Sequence, residues 1–202
     1  MHKLKDTTQD EMVATFLKSE INSKRFGQHI IERLKRDNKN RAIIDNPDLV
    51  DSSDNHYRIQ LLGEYRGYGQ NKLLFENFPT NVRWEYVSLS REDLKRIKYI
   101  KYDYWTKLSQ GTRFAKDAVE TIEKGTEIFD ESNEPFLKAA KAVVAGLIFP
   151  EMILIAVDTT EDIVVVEGHL RLTAYLLAKD KAPDEVEAII GYSPEIINWG
   201  LY

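Results

Sequence analysis

The stretch GLIFPEMILIAVDTTEDIVVVEGHLRLTAYLLAKDKAPDEVEAIIG (residues 146–191) decides the fold. Met152–Val157 and Ile163–Val166 are short apolar runs typical of buried strands, and a polar turn separates them. A helical pattern follows the second run, and Val186–Ile190 is a third apolar run. This alternation of strands and helices predicts an α+β domain with a small mixed sheet.

The strongest candidate for a functional site is the turn Glu167-Gly168-His169-Leu170-Arg171. Here the second strand is expected to end in a glycine turn that opens directly into a helix. The first turn of a helix has unpaired N–H groups and the positive end of the helix dipole, so it favours anions. Gly168 lets a ligand approach the backbone closely, and Arg171 can bind a phosphate through two hydrogen bonds. We therefore predict an anion-binding corner at Gly168, His169 and Arg171.

Glu167 and His169 are the candidate catalytic residues of this turn. A carboxylate beside bound phosphates can act as a general base or as a ligand for Mg²⁺. Two plainer interpretations stay open at this point. The segment can be an ordinary strand-to-helix turn whose polar residues face water, and Glu167 can be a helix cap or an ion-pair partner of Arg171.

Helices are predicted over much of the remaining chain. Residues 6–37 have a helical apolar pattern that begins with a capping-box spacing at Thr8 and Glu11, and it forms one helix or two. Residues 36–56 are rich in Asn, Asp and Ser, which predicts a loop. Two further helices are expected before the decisive stretch, one capped by Thr112 and one that starts near Asn133.

Residues 57–105 contain 11 of the 21 aromatic residues of the chain, and basic residues are interspersed among them. Strands are predicted at Arg83–Leu89 and Tyr99–Trp105, with a short helix between them that opens at Ser90 and Asp93. This composition fits a surface that stacks nucleic-acid bases. We expect instead that the rings form the core of a small α+β region, because large aromatic side chains are most often buried.

Composition excludes several classes of function. The chain has 202 residues, a formal charge of −5 and no cysteine, so thiolate metal sites, iron–sulfur clusters and cysteine nucleophiles are excluded.

Residues 1–115 have 21 basic and 16 acidic side chains, whereas residues 116–202 have 7 basic and 17 acidic ones. The acidic part repels a phosphate backbone, so we expect little nucleic-acid binding, and residues 57–105 are where it would occur. With no apolar stretch long enough for a signal peptide or membrane span, we expect a cytoplasmic protein without a membrane partner.

The order and spacing of these elements resemble the ParB/sulfiredoxin superfamily. In that family a helix and a glycine precede a P-x-x-[IVL] strand, and a hairpin leads to a G-[EHC]-x-R box that opens a helix. SNEPFLKAAKAVVAG (residues 132–146) matches the preceding helix, and YWTKLSQGTR (residues 104–113) matches the entry motif. The box here, Gly168-His169-Leu170-Arg171, is most similar to the G-H-x-R version of ParB-like free serine kinases. The resemblance covers residues 99–191.

This resemblance implies a nucleotide site. Gly168, His169 and Arg171 would hold the phosphates of a nucleoside triphosphate or diphosphate, ATP being expected first, with Mg²⁺ at Glu167. Residues Thr112 and Arg113 of the entry motif would reach the same phosphates. Sulfiredoxin chemistry requires a cysteine in the box and is excluded. The chromosome-segregation members have G-E-R-R and a later DNA-binding domain, which we do not expect in the 31 residues after Arg171.

Two classes of function follow from these observations. The first is a nucleotide-dependent enzyme, a kinase or an NTP-hydrolysing protein, whose small-molecule or protein acceptor the sequence does not identify. The second is a non-catalytic module that senses a nucleotide or contacts a protein or a nucleic acid, and a ParB-like nuclease is a further alternative. In either case we expect a mainly helical extension over residues 1–80 and a ParB/sulfiredoxin-like domain over residues 81–202.

Overall fold

A six-stranded mixed sheet lies between two layers of helices in the computed structural model, which describes residues 1–202. The strands are β1 (His2–Thr7), β2 (Arg83–Ser90), β3 (Ile97–Tyr99), β4 (Met152–Ala156), β5 (Ile163–Glu167) and β6 (Glu185–Tyr192). The helices are α1 (Gln9–Glu20), α2 (Gly27–Arg36), α3 (Ala42–Asp45), α4 (Ser52–Arg66), α5 (Arg91–Leu94), α6 (Asp103–Leu108), α7 (Ala115–Glu123), α8 (Glu134–Val144) and α9 (His169–Ala178). The predicted α+β class with a mixed sheet is confirmed.

The strands are arranged in the order β1-β2-β6-β4-β5-β3. The β1–β2, β2–β6 and β4–β5 pairs are antiparallel, whereas β4–β6 and β3–β5 are parallel. The decisive stretch therefore supplies three neighbouring strands, β6, β4 and β5, and two of them occupy the centre of the sheet. All five residues of β4 are buried, which explains why this strand is a continuous apolar run in the sequence.

The two faces of the sheet support separate apolar cores. In β4, Leu154 packs into the core formed with α6–α9, while the neighbouring Ile153 and Ile155 pack into the core formed with α1–α4. This division follows from the two-residue period of a strand, which sends successive side chains to opposite faces. Both faces of the central strands are thus covered by helices.

Residues 1–80 cover one face of the sheet with α1–α4 and add the edge strand β1. Thr8 caps α1 and accepts a hydrogen bond from the backbone N–H of Glu11, as its spacing predicts. The helical region of residues 6–37 consists of two helices. None of the helices in the protein combines the length and the apolar character needed to cross a membrane.

Three sequence-based predictions outside the decisive stretch are wrong. Residues 99–105 do not form a strand, because β3 ends at Tyr99 and the helix α6 begins at Asp103. The predicted loop of residues 36–56 contains α3 and the first turn of α4, whose N-cap is Asp51. Thr112 does not cap α7, since the N-cap position is Phe114.

Candidate functional site

The predicted glycine turn lies between β5 and α9. Gly168 is the N-cap of α9, with φ +106° and ψ 22°, and His169 is the first helical residue. No side chain caps this helix, and the backbone N–H groups of His169, Leu170 and Arg171 have no acceptor within the protein. A helix start in this state offers three hydrogen-bond donors and a positive dipole end to an anion.

Gly168 is also required by its neighbours. A Cβ atom on this residue would lie 2.9 Å from Cγ of Met152 and 3.1 Å from Nε of Arg171. The space in front of the glycine is therefore filled by the protein's own arginine. The absence of a Cβ atom at Gly168 does allow another group to approach the backbone closely. That group is the Arg171 side chain and not a ligand.

Arg171 folds back onto the turn. Its Nη2 donates to Oε1 of Glu167 at 3.0 Å, its Nη1 donates to the carbonyl oxygen of Pro150 at 3.3 Å, and its side chain is only 9% exposed. A buried guanidinium needs such partners to offset the loss of water. The expectation that its head group faces a ligand is therefore corrected, because the head group is engaged by Glu167 and Pro150.

The Glu167 carboxylate is engaged within the protein. One carboxylate oxygen accepts the hydrogen bond from Arg171, and no group of three or more His, Asp or Glu side chains is arranged to hold a metal ion. The interpretation of Glu167 as an ion-pair partner describes the observed geometry.

His169 is held in a stack of aromatic rings. Its imidazole lies 4.7 Å from the Trp105 ring and 5.9 Å from the Tyr99 ring, with interplanar angles of 20° and 16°. Its backbone carbonyl accepts a hydrogen bond from Thr173, whose hydroxyl is also bonded to that of Tyr99. The His169 Nε2 atom is buried and has no hydrogen-bond partner in the protein. Burial therefore leaves this polar atom without compensation within the protein.

Burial lowers the pKa of His169 from 6.5 to about 3, and the positive charges of Arg66 and Arg171 act in the same direction. The imidazole is consequently neutral at pH 7. An imidazole with this pKa is a weak general base, because a catalytic base works best with a pKa near the working pH. His169 can still donate or accept one hydrogen bond through its buried nitrogen.

This lowered pKa predicts acid sensitivity. The unfolded state takes up a proton near pH 6.5 and the folded state does not, so His169 contributes stability above that pH and loses it as the pH falls towards 3. Between pH 7 and pH 5 we expect the free energy of unfolding to drop by roughly 2 kcal/mol through this group. Urea denaturation of His169→Phe, which keeps a stacked ring, should show a shallower drop. An equal drop in the free energy of unfolding between pH 7 and pH 5 for the variant and the wild type would show that His169 is not the group responsible.

Thr112 and Arg113 are bonded elsewhere. The Arg113 guanidinium donates to the carbonyl oxygen of Tyr99 at 2.7 and 3.0 Å and to that of Tyr202 at 2.5 Å. The Thr112 hydroxyl lies 2.6 Å from a carboxylate oxygen of Asp117. These bonds attach the C-terminal residues to β3 and order the loop before α7. Neither side chain is hydrogen-bonded to the Gly168 turn.

A cavity of about 590 Å³ opens beside the turn, with His169 in its wall. It lies between the N-terminal helices and the segments around β3 and α9. The members of its wall that can recognise a ligand are two cations and four rings, Arg25, Arg66, Phe26, Tyr65, Tyr102 and Trp105. The remaining wall is aliphatic. Since His169 is both the first residue of α9 and a wall residue, the helix begins at this cavity.

Arg66 is the more deeply placed of the two cations. Its Nε lies 3.3 Å from Oε1 of Glu20, without the alignment of a hydrogen bond, and its guanidinium lies over the rings of Phe16 and Phe26. Burial lowers the pKa of Arg66 and raises that of Glu20. Burial has therefore removed much of the water from this ion pair, and the Arg66 Nε donor stays unbonded within the protein.

Sequence reasoning missed Arg25 as a site residue and placed Arg66 only among the basic residues of the aromatic region. Neither lies in a motif. Arg25 lies between α1 and α2 and Arg66 ends α4, so only the packing of these helices on the sheet brings them near His169.

Comparison of the chain with known protein families, with curated proteins and with solved structures finds no match.

Proposed function

We propose that the cavity beside the Gly168 turn binds a nucleotide. The observation that carries this proposal is the uncapped start of α9, whose first residue, His169, lies in the wall of a cavity that also contains Arg25 and Arg66. A helix N-terminus and two guanidinium groups together favour a phosphorylated ligand. The resemblance of residues 99–191 to the ParB/sulfiredoxin superfamily supports the same proposal.

The aromatic walls favour a nucleotide over inorganic phosphate. Tyr65, Tyr102 and Trp105 offer planar surfaces on which a base can stack, as aromatic side chains do for bases in general. A volume of about 590 Å³ lies within the range of small-molecule sites. The phosphates would meet Arg25, Arg66 and the start of α9, and the base would lie on the rings.

Between the two classes of function, the observations favour a binding module that senses the nucleotide. Glu167 is engaged by Arg171, and the lowered pKa of His169 makes it a weak base at pH 7. A kinase or an NTP-hydrolysing enzyme needs a group that positions or deprotonates the attacking atom. Neither candidate catalytic residue is poised for that role in the observed geometry.

Arg25 provides the sharpest test because its side chain is exposed, so its removal leaves folding intact. We expect Arg25→Gln to weaken ATP or ADP binding about tenfold, the effect of losing a charge-assisted hydrogen bond. Isothermal titration calorimetry measures this change, and Lys24→Gln is the matched control because Lys24 is exposed and does not line the cavity. Equal affinities for wild type and Arg25→Gln, or no binding of ATP, ADP or CTP, would reject the proposal.

The wild type and Arg25→Gln also distinguish a nucleotide-dependent enzyme from a module that only senses the nucleotide. Phosphate release from ATP in the presence of Mg²⁺ should stay at the rate without protein if the cavity only senses nucleotide. Turnover by the wild type that Arg25→Gln reduces would instead establish the enzyme.

A further inference from the structure

A second cavity, of about 630 Å³, shares Tyr102 and Trp105 with the first. Its walls include three more aromatic side chains, those of Tyr104, Phe129 and Phe136. Trp105 meets Tyr104 and Phe136 at steep angles, 81° and 69°, with ring centroids 4.9 and 6.1 Å apart. Five aromatic side chains thus line one cavity, the composition of sites that bind an organic cation.

Phe129 is held at this cavity at the expense of backbone strain. It has φ +54° and the following Asp130 has φ +59°, in a turn closed by the pairing of Ile128 with Glu131. Asp adopts the left-handed region comparatively readily, whereas the region is unfavourable for a bulky residue such as Phe. The cost of this backbone conformation is not offset by burial of the ring, since Phe129 remains 55% exposed. A strained, exposed phenyl ring at a cavity wall indicates a role in contacting a ligand.

The charge of this cavity is negative. Asp103 and Glu131 line it, and no basic side chain does. The adjoining residues 127–134 contain four acidic residues and no basic one. Lys107, which lies outside the wall, has its Nζ 4.1 Å from the centroid of the Phe129 ring. The Lys107 ammonium therefore occupies one face of the Phe129 ring, and a ligand cation would have to meet the other face.

We propose that this cavity binds a small organic cation with an alkylated ammonium head. Aromatic faces attract such a head through their negative quadrupole, and its methyl groups are weakly hydrated, so little water has to be removed. Asp103 and Glu131 supply the counter-charge. An anionic ligand is disfavoured here by the same two carboxylates. Tyr102 and Trp105 line both cavities, but Phe129, Asp103 and Glu131 line only this one, and the test uses no nucleotide.

Choline and its uncharged isostere 3,3-dimethylbutan-1-ol are the decisive pair of probes. Trp105 is the fluorescent reporter, since the other two tryptophans, Trp84 and Trp199, are buried away from this cavity. We expect saturable quenching by choline with a dissociation constant of about 1 mM or tighter. The isostere should bind at least about tenfold more weakly, because it lacks the charge. Trp105→Phe should remove the signal.

Variants of the acidic turn complete the test. Phe129→Ala and Glu131→Gln should each weaken choline binding about fivefold or more. Asp130→Asn is the matched control, because this residue belongs to the same turn, does not line the cavity and tolerates its positive φ as Asn. Absence of saturable quenching, equal binding of choline and the isostere, or an Asp130→Asn effect as large as that of Glu131→Gln would overturn the proposal.

Discussion

Gly168→Ala should lower the free energy of unfolding by about 3 kcal/mol or more, a large fraction of the stability of a domain. Two effects add at this position. The backbone angle φ +106° is strained for any residue with a Cβ atom. The added carbon would also lie 2.9 Å from Met152 and 3.1 Å from the Arg171 guanidinium, so a buried ion pair would have to move. Urea denaturation at neutral pH measures the loss.

Gly146→Ala is the matched control for this prediction. Gly146 has a similar φ of +94°, but nothing lies within 4 Å of the position of a Cβ atom. It should therefore report the backbone strain alone, about 1–2 kcal/mol. Equal losses for the two variants would show that the packing of Arg171 on Gly168 does not contribute.

Arg171→Leu should destabilise the protein by about 3 kcal/mol, because breaking a buried ion pair leaves its partner without compensation. Here the carboxylate of Glu167 and the carbonyl of Pro150 both lose a donor. The double variant Glu167→Gln/Arg171→Leu should lose less than the sum of the single variants, with a coupling free energy of about 1–3 kcal/mol.

The exposed pair Arg41–Asp45 provides the comparison for that coupling. It has the same four-residue spacing, with an Nε to Oδ2 distance of 2.8 Å, but both side chains are more than 40% exposed. Its coupling should be about 0.5 kcal/mol or less. Similar couplings for the two pairs would contradict a structural role for Arg171. If Arg171→Leu instead kept its stability and lost nucleotide binding, the guanidinium would act on the ligand as the sequence suggests.

The parts of the fold that the sequence predicts are those whose signal is local. β4, β5 and β6 are recognisable because central strands buried on both faces form continuous apolar runs. The edge strand β1, His2–Thr7, is almost fully exposed and has a single apolar residue, Leu4, so it has no apolar pattern to detect. Residues 99–105 mislead because a short aromatic-rich run fits either a strand or a helix.

The residues of the candidate site also fall into two groups, those with a local signal in the sequence and those brought together only by the fold. Gly168 and His169 are local features of a strand-to-helix turn and were placed correctly at the start of α9. The orientation of Arg171 depends on the carbonyl of Pro150, which lies 21 residues earlier in the chain. Arg25 and Arg66 come to His169 only through the packing of the N-terminal helices. Contacts over such distances in sequence leave no pattern in a single chain.

The order of the strands also constrains how this protein folds during its synthesis. β4 and β6 form the centre of the sheet, yet they are made after the first 150 residues. Until they leave the ribosome, α1–α4 can pack only on the β1–β2 pair, and β2 lacks its β6 neighbour. Long-range strand pairing also slows folding, because a long chain segment must be ordered to close each contact. We therefore expect folding to occur in one late step, with the apolar sides of α1–α4 open to chaperones until residue 192 is available.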